Sequence, residues 1–162
     1  MSKSRTSAAT REVADPDSPG VALGGLDAQI GFVLRLAQVA VFKDLIEALR
    51  PFGLRPTDFS VLLVIEATPG LKQQAVGEAL SIQRPNLVTI IDQLEGRGLV
   101  KRGAAPGDRR SYALALTPDG EKLLAQAKAA HLEHADRVTA ALGDDMDKHM
   151  VLEALSRIAG MA

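Results

Sequence analysis

The 162-residue chain contains no cysteine. That absence excludes a disulfide framework, a thiolate metal site and a thiol-based peroxide switch within this chain. Aromatic residues are nearly as scarce, at 3% with no tryptophan, so a core has to be built from Leu, Ile, Val and Ala. Such a composition favours packed helices. There is no long apolar run near the start, and the first apolar stretch is interrupted by Arg35, Gln38 and Lys43, so nothing here is expected to span or cross a membrane. A cytoplasmic location follows. A glycine-rich phosphate loop, a nucleophile elbow and a His set by motif beside a Ser nucleophile are all missing. Neither an enzyme nor a cofactor is expected. Of the ligating types, His131, Glu133, His134 and His149 form the only cluster. The 131–134 spacing is i, i+3 where a metal pair usually uses i, i+4, so these histidines read as a solvated face with no metal.

The net charge of −1 also lacks the excess of cations that a nucleic-acid partner would suggest, but its distribution is uneven. From Ser81 to Arg110, six cations stand against three carboxylates, giving +3 and leaving −4 for the rest. A locally basic head on an acidic body suits steering toward phosphates.

That head lies within Leu71 to Arg110, which reads as two short helices followed by a basic hairpin. Val76, Ala79 and Leu80 recur at helical spacing in the first, with Lys72, Gln73, Gln74 and Glu78 free to face water. The break falls at Ser81 to Gln83. Pro85 then occupies the first turn of the second helix, where its missing N–H leaves no bond unmade. Leu87, Ile90, Ile91 and Leu94 form the inward stripe of this helix, leaving Arg84, Asn86, Thr89 and Gln93 on or near the outer face. An Arg pairs with guanine edges and an Asn or Gln with adenine edges, and a helix of this width fits the major groove. With Gln83 at the cap position, these are the candidate DNA-binding residues of a recognition helix. Gly98 is the left-handed stop, with Leu99 folding back after it.

From about Leu54 to Gly120 the sequence resembles the MarR-type multiple-antibiotic-resistance regulators. The matching pieces are Gln73–Gln74–Ala75–Val76, Arg84–Pro85–Asn86–Leu87–Val88, Ile91–Asp92–Gln93–Leu94–Glu95, Arg97–Gly98–Leu99–Val100, Asp108–Arg109–Arg110 and Leu116–Thr117–Pro118–Asp119–Gly120. Their order and spacing carry the resemblance, since no single piece is diagnostic. One departure is Gln83, a poor helix cap where the family usually has Ser or Thr. The resemblance implies a mainly α winged helix-turn-helix with a small β-hairpin wing, and a helical dimerisation module made by the N- and C-terminal helices. It also implies that the last Arg of the Asp-x-Arg pattern, Arg110, enters the minor groove, with Arg109 beside it. Asp92 and Asp108 are candidates to pair with these arginines and hold the wing. A small aromatic or phenolic ligand between the dimer helices and the reading head is a further implication, with Arg35 the best available counter-charge.

The remaining chain divides around this head. Residues 1–25 have no apolar period and are expected to be a disordered tail. Leu26 to Arg50 reads as a long helix with Leu26, Ile30, Val33, Ala37, Val41, Leu45 and Ala48 on one stripe and Phe32, Leu36 and Phe42 beside it, which makes 26–53 a dimerisation helix. A stripe that wide needs two partners. Pro56 starts a central helix to about Ala67, with a buried strand as the alternative for its continuous apolar run. The DNA-binding region is 54–117, with strands at Leu99 to Arg102 and Ser111 to Leu116 and a slim wing from Gly103 to Arg110. Thr117 caps a helix to about Leu142 whose apolar side is Leu123, Leu124, Ala127, Ala130, Leu132, Ala135 and Val138. Asp144 or Asp145 starts a last helix with Met146, Met150, Val151, Leu155 and Ile158, completing dimerisation helices over 118–162.

The expected function is sequence-specific regulation of transcription, as a ligand-responsive repressor that binds a pseudo-palindromic operator of double-stranded DNA as a homodimer. A constitutive structural DNA binder and a helical protein-binding adaptor on the same fold are the alternatives.

Overall fold

The structure is a computed structural model. It describes residues 22–105 and 108–161, without the side chains of residues 104, 105 and 108–112. The tail expected over 1–25 therefore lies outside the described residues as far as residue 21. The chain divides into a unit ending at Leu36 and a unit Ala37–Ala162.

In chain order the elements are α1 (Ile30–Leu49), α2 (Pro56–Ala67), β1 (Leu71–Lys72), α3 (Gln73–Ala79), α4 (Arg84–Gly96), β2 (Val100–Ala105), β3 (Asp108–Leu116), α5 (Pro118–Ala140) and α6 (Lys148–Ile158). The first helix begins later than predicted, because Leu26–Ala28 form a separate 3-10 turn. Its stripe also divides: Val41, Leu45 and Ala48 are half-buried and Leu49 is fully buried, while Ile30, Val33, Val39, Phe42 and Ile46 are exposed. The apolar run 61–65 is helix, not strand. Pro56 sets its first turn, and Asp58 accepts the Arg55 backbone N–H at 3.0 Å, satisfying one of the orphan donors of a helix start.

α2 is the central element. Phe59, Val61, Leu62 and Ile65 share one buried core with Val76 of α3, the Leu87, Ile90, Ile91 and Leu94 stripe of α4, Leu114 and Leu116 of β3, and Leu124 and Ala127 of α5. Each of these large side chains, fully buried, contributes roughly 1.5–3 kcal/mol by leaving water. In α3 the inward positions are Val76 and Gly77, and Ala79, predicted to face in, is exposed because the helix ends there and Ser81 turns at φ 53.

The sheet has three antiparallel strands in the order β1-β3-β2. Leu71 pairs with Leu114, and Val100, Arg102 and Ala104 pair with Leu116, Leu114 and Tyr112. β1 was not predicted, and both wing strands run further than expected. Gly103–Ala105 and Asp108–Arg110 are strand backbone where a slim loop was predicted from Gly103 to Arg110; residues 106 and 107 lie outside the described residues. The irregularity between Ala104 and Ala105 marks where the regular ladder ends.

The junction from α4 to α5 is built as the sequence indicates. Gly98 takes φ 70, and Leu99 N–H closes back on Leu94 O at 2.9 Å. Thr117 Oγ1 accepts Gly120 N–H at 3.0 Å and donates to Gly98 O at 2.5 Å. On α5, Leu132 points to solvent with 63% exposure, and the inward place goes to His134, at 4%. The last helix starts at Lys148, with Asp147 as its cap accepting His149 N–H at 2.7 Å, so neither Asp144 nor Asp145 begins it and Met146 lies before it.

Candidate nucleic-acid interface

α4 presents the predicted surface. The four residues of its apolar stripe, Leu87, Ile90, Ile91 and Leu94, are buried, and Arg84, Asn86, Thr89 and Gln93 are all exposed. The Gln83 side chain makes no capping bond, as its chemistry suggested, and the helix relies on Pro85 in its first turn. Thr89 Oγ1 donates to Pro85 O at 3.2 Å, which holds the exposed hydroxyl in place and leaves it able to accept. Val88 is exposed at the same end, an apolar residue of the kind that meets a thymine methyl. Its helical position was the available signal.

The exposed candidates fall on two flanks. Arg84 and Gln83 line an open cleft of about 1200 Å³ shared with Gln73, Gln74, Glu78 and Val88. Gln93 is turned the other way, its carbonyl oxygen accepting from Arg55 Nη2 at 2.6 Å. Arg55 is itself clamped on Asp58, through Nε at 3.1 Å and Nη2 at 3.1 Å, and these bonds, with the attraction of the Asp58 charge, raise its pKa. Arg97, which follows the last residue of α4, donates to Gly53 O at 2.7 Å and Phe52 O at 2.9 Å. The C-terminal half of α4 is thus bolted to the turn between α1 and α2. Sequence reasoning missed these ties from Arg55 to Gln93 and from Arg97 to the turn, because they join residues 38 to 45 places apart.

Asp92 accepts from Arg102 Nη2 at 2.6 Å. Glu95 takes a second, very short bond from Arg102 Nη1, and Arg102 Nε reaches Gln73 Oε1 at 3.4 Å. Burial works against the Arg102 charge, but the bonds to Asp92 and Glu95 outweigh it and the pKa lies above its usual value. Asp92 was expected to support the wing through Arg109 or Arg110, and the partner observed is Arg102 of β2. The side chains of Asp108, Arg109 and Arg110 lie outside the described residues; their backbone opens β3.

Away from this surface, His131 and His134 do not form a solvated face. His134 Nδ1 donates to Asp44 Oδ2 at 2.6 Å, and Arg137 reaches the same carboxylate at 2.9 Å, tying α5 to α1. The bonds from His134 and Arg137 hold the Asp44 pKa below its usual value. The His131 ring lies 5.0 Å from that of Phe59 and 5.8 Å from that of His134, and burial, then the neighbouring His134, lowers its pKa. No cluster of three or more ligating residues that could hold a metal occurs among the described residues. Arg35 is exposed on α1, and no helix among the described residues is long and apolar enough to cross a membrane.

Comparison with known proteins places this geometry. The family model described as MarR family matches residues 52–111, which span α2 to the start of β3. A candidate transcriptional regulatory protein for the hcr operon of Thauera aromatica is 33% identical over 132 residues, covering 81% of this chain and 80% of that protein. Among solved structures, the transcriptional repressor CouR bound to a 23-mer DNA duplex is 42% identical, with a TM-score of 0.81 over 86% of this chain and 99% of that one. CouR bound to p-coumaroyl-CoA is 39% identical, with a TM-score of 0.77 over 86% and 98%. A basic winged helix-turn-helix, carried by a chain that these relatives match over most of its length, leaves one conclusion: the chain belongs to the MarR family and is a transcription regulator.

Proposed function

We propose that the chain is a dimeric repressor which reads a pseudo-palindromic operator and releases it when an aromatic acyl-CoA thioester binds. The observation that carries this reading is α4, with its apolar stripe fully packed and Arg84, Asn86, Val88 and Thr89 turned outward, on a chain similar to a repressor solved with DNA. Arg84 and Asn86 have the chemistry for guanine and adenine edges, and Arg109 and Arg110 of the wing supply charge for phosphates or a narrow minor groove. Gln93 belongs with the scaffold, since its carbonyl is already taken by Arg55.

The dimer supports the spacing. Two recognition helices must lie about one helical turn apart, roughly 34 Å, to enter successive major grooves, which a monomer cannot arrange. Val39, Phe42 and Ile46 of α1 and Met150, Leu152, Leu155 and Ile158 of α6 are exposed, and no residue of α6 is buried within the subunit. We assign residues 54–117 to DNA binding, with the helices on either side as the dimerisation module. The ligand class rests on the similarity to CouR, with Arg35 offered as counter-charge to an anionic group. Binding, without turnover, is the chemistry such a site performs.

Selection of bound duplexes from a random pool gives the operator, and anisotropy titrations then test the reading. Asn86→Ala should lose roughly 1–3 kcal/mol of discrimination between operator and unrelated DNA. Equal weakening on both would remove Asn86 from the reading set. Addition of p-coumaroyl-CoA should release the operator where free p-coumarate does not; release by neither would exclude the thioester class.

A further inference from the structure

Arg102 was counted from sequence among the cations of the reading head, yet its guanidinium is turned inward. Its side chain is only 16% exposed, and it bridges three elements: Gln73 of α3, Asp92 and Glu95 of α4, and its own strand β2. The backbone N–H of Arg102 adds a bond to Glu95 Oε1 at 3.2 Å, so Glu95 grips the strand as well as the side chain. Asp92 and Glu95 line the same cleft as Gln83 and Arg84, on the side of α4 offered to DNA. Two carboxylates in that position would repel phosphates at short range unless a cation sits between them.

We propose that Arg102 is a positioning residue for DNA recognition, which fixes the angle of the wing strand to α4 and masks Asp92 and Glu95 from the phosphate backbone. The inference rests on the DNA-binding reading above. It differs from a phosphate contact in what the carboxylates do. Without Arg102 the strand loses its tie to α4 and two negative charges face the duplex. Removing those charges at the same time then restores part of the binding. Lysine keeps the charge but offers one ammonium in place of a fork, so it cannot hold both carboxylates and Gln73 in the observed geometry.

The experiment is a double-mutant cycle on the selected operator. Arg102→Ala should weaken binding about tenfold or more in the wild-type background, and by no more than about threefold when Asp92→Asn and Glu95→Gln are also present. An equal loss in both backgrounds would overturn the proposal and make Arg102 an independent DNA contact. Arg102→Lys, which keeps the charge, should still weaken binding several-fold; affinity equal to wild type would likewise refute the positioning role. The same cycle read as thermal midpoints without DNA should show Arg102 coupled to the two carboxylates, and additive midpoints would count against the tie. A wild-type chain that selects no DNA sequence would instead defeat the regulatory reading, and the coupling in thermal midpoints would still decide whether Arg102 ties the wing to α4.

Discussion

Replacing Gly120 by alanine tests the junction that joins the reading head to α5. A Cβ built on Gly120 falls 2.0 Å from the carbonyl oxygen of Leu99 and 2.9 Å from its carbonyl carbon. Both are backbone atoms, so no side-chain rotation relieves the contact. The same oxygen accepts Thr117 N–H at 3.1 Å, and the Thr117 hydroxyl accepts Gly120 N–H at 3.0 Å. Moving α5 away by the ångström or so that the methyl needs therefore strains these bonds together. Overpacking of this kind costs about 1–3 kcal/mol and the loss of a helix cap about 1 more. A loss of about 3 kcal/mol is a large part of the 5–15 kcal/mol, roughly, that a domain of this size has. Urea unfolding followed by circular dichroism, at one fixed protein concentration because dimerisation is linked to folding, measures it. Gly96→Ala is the control: it also lies in a helix, but nothing stands within 4 Å of its added methyl. It should gain about 0.5 kcal/mol from helix propensity. A Gly120→Ala variant within about 0.5 kcal/mol of wild type would refute the reasoning.

Three further outcomes follow from other parts of the molecule. Leu155→Glu puts a charge at a residue of α6 that is 40% exposed in the single subunit and proposed to be covered in the dimer, so it should sediment as a monomer and lose operator binding in step. A variant that stays dimeric in analytical ultracentrifugation would move the interface elsewhere. His131 has a folded-state pKa below the usual 6.5, so its contribution to stability is complete above about pH 6.5 and is lost as pH falls from there through the folded value. His131→Leu should flatten the fall in unfolding free energy on acidification from pH 7, with His134, Asp44 and Arg137 left in place; an unchanged slope would place that titration in another group. Arg97→Ala removes two bonds to the Phe52 and Gly53 carbonyls from an exposed side chain and should cost about 1 kcal/mol, read as a lower urea midpoint.

What the sequence could express was information held within one turn or one stripe. The α4 core positions, the left-handed Gly98 and the Thr117 cap each follow from residues no more than a few places apart, and each is where the pattern put it. β1 could not be read that way. Two residues carry no alternation, and Leu71–Lys72 is a strand only because β3 lies beside it. Gly103–Ala105 and Asp108 have turn-like composition, yet pairing across the hairpin draws them into the ladder. His131 and His134 look solvated on a helix rich in charge until Asp44, 90 residues before His134, supplies the acceptor that makes burial affordable. Gln93 and Arg102 show the same limit within the functional surface. One has the side chain of a base reader and the other the charge of a phosphate contact, and each is engaged by a partner the local pattern does not contain, Gln93 at the surface and Arg102 turned inward. Residue type and helical phase therefore select a set of candidates for DNA contact. Which of them remain available to the duplex is decided by pairwise bonds between distant elements, and Arg84, Asn86 and Thr89 are the candidates on α4 for which type, phase and exposure agree.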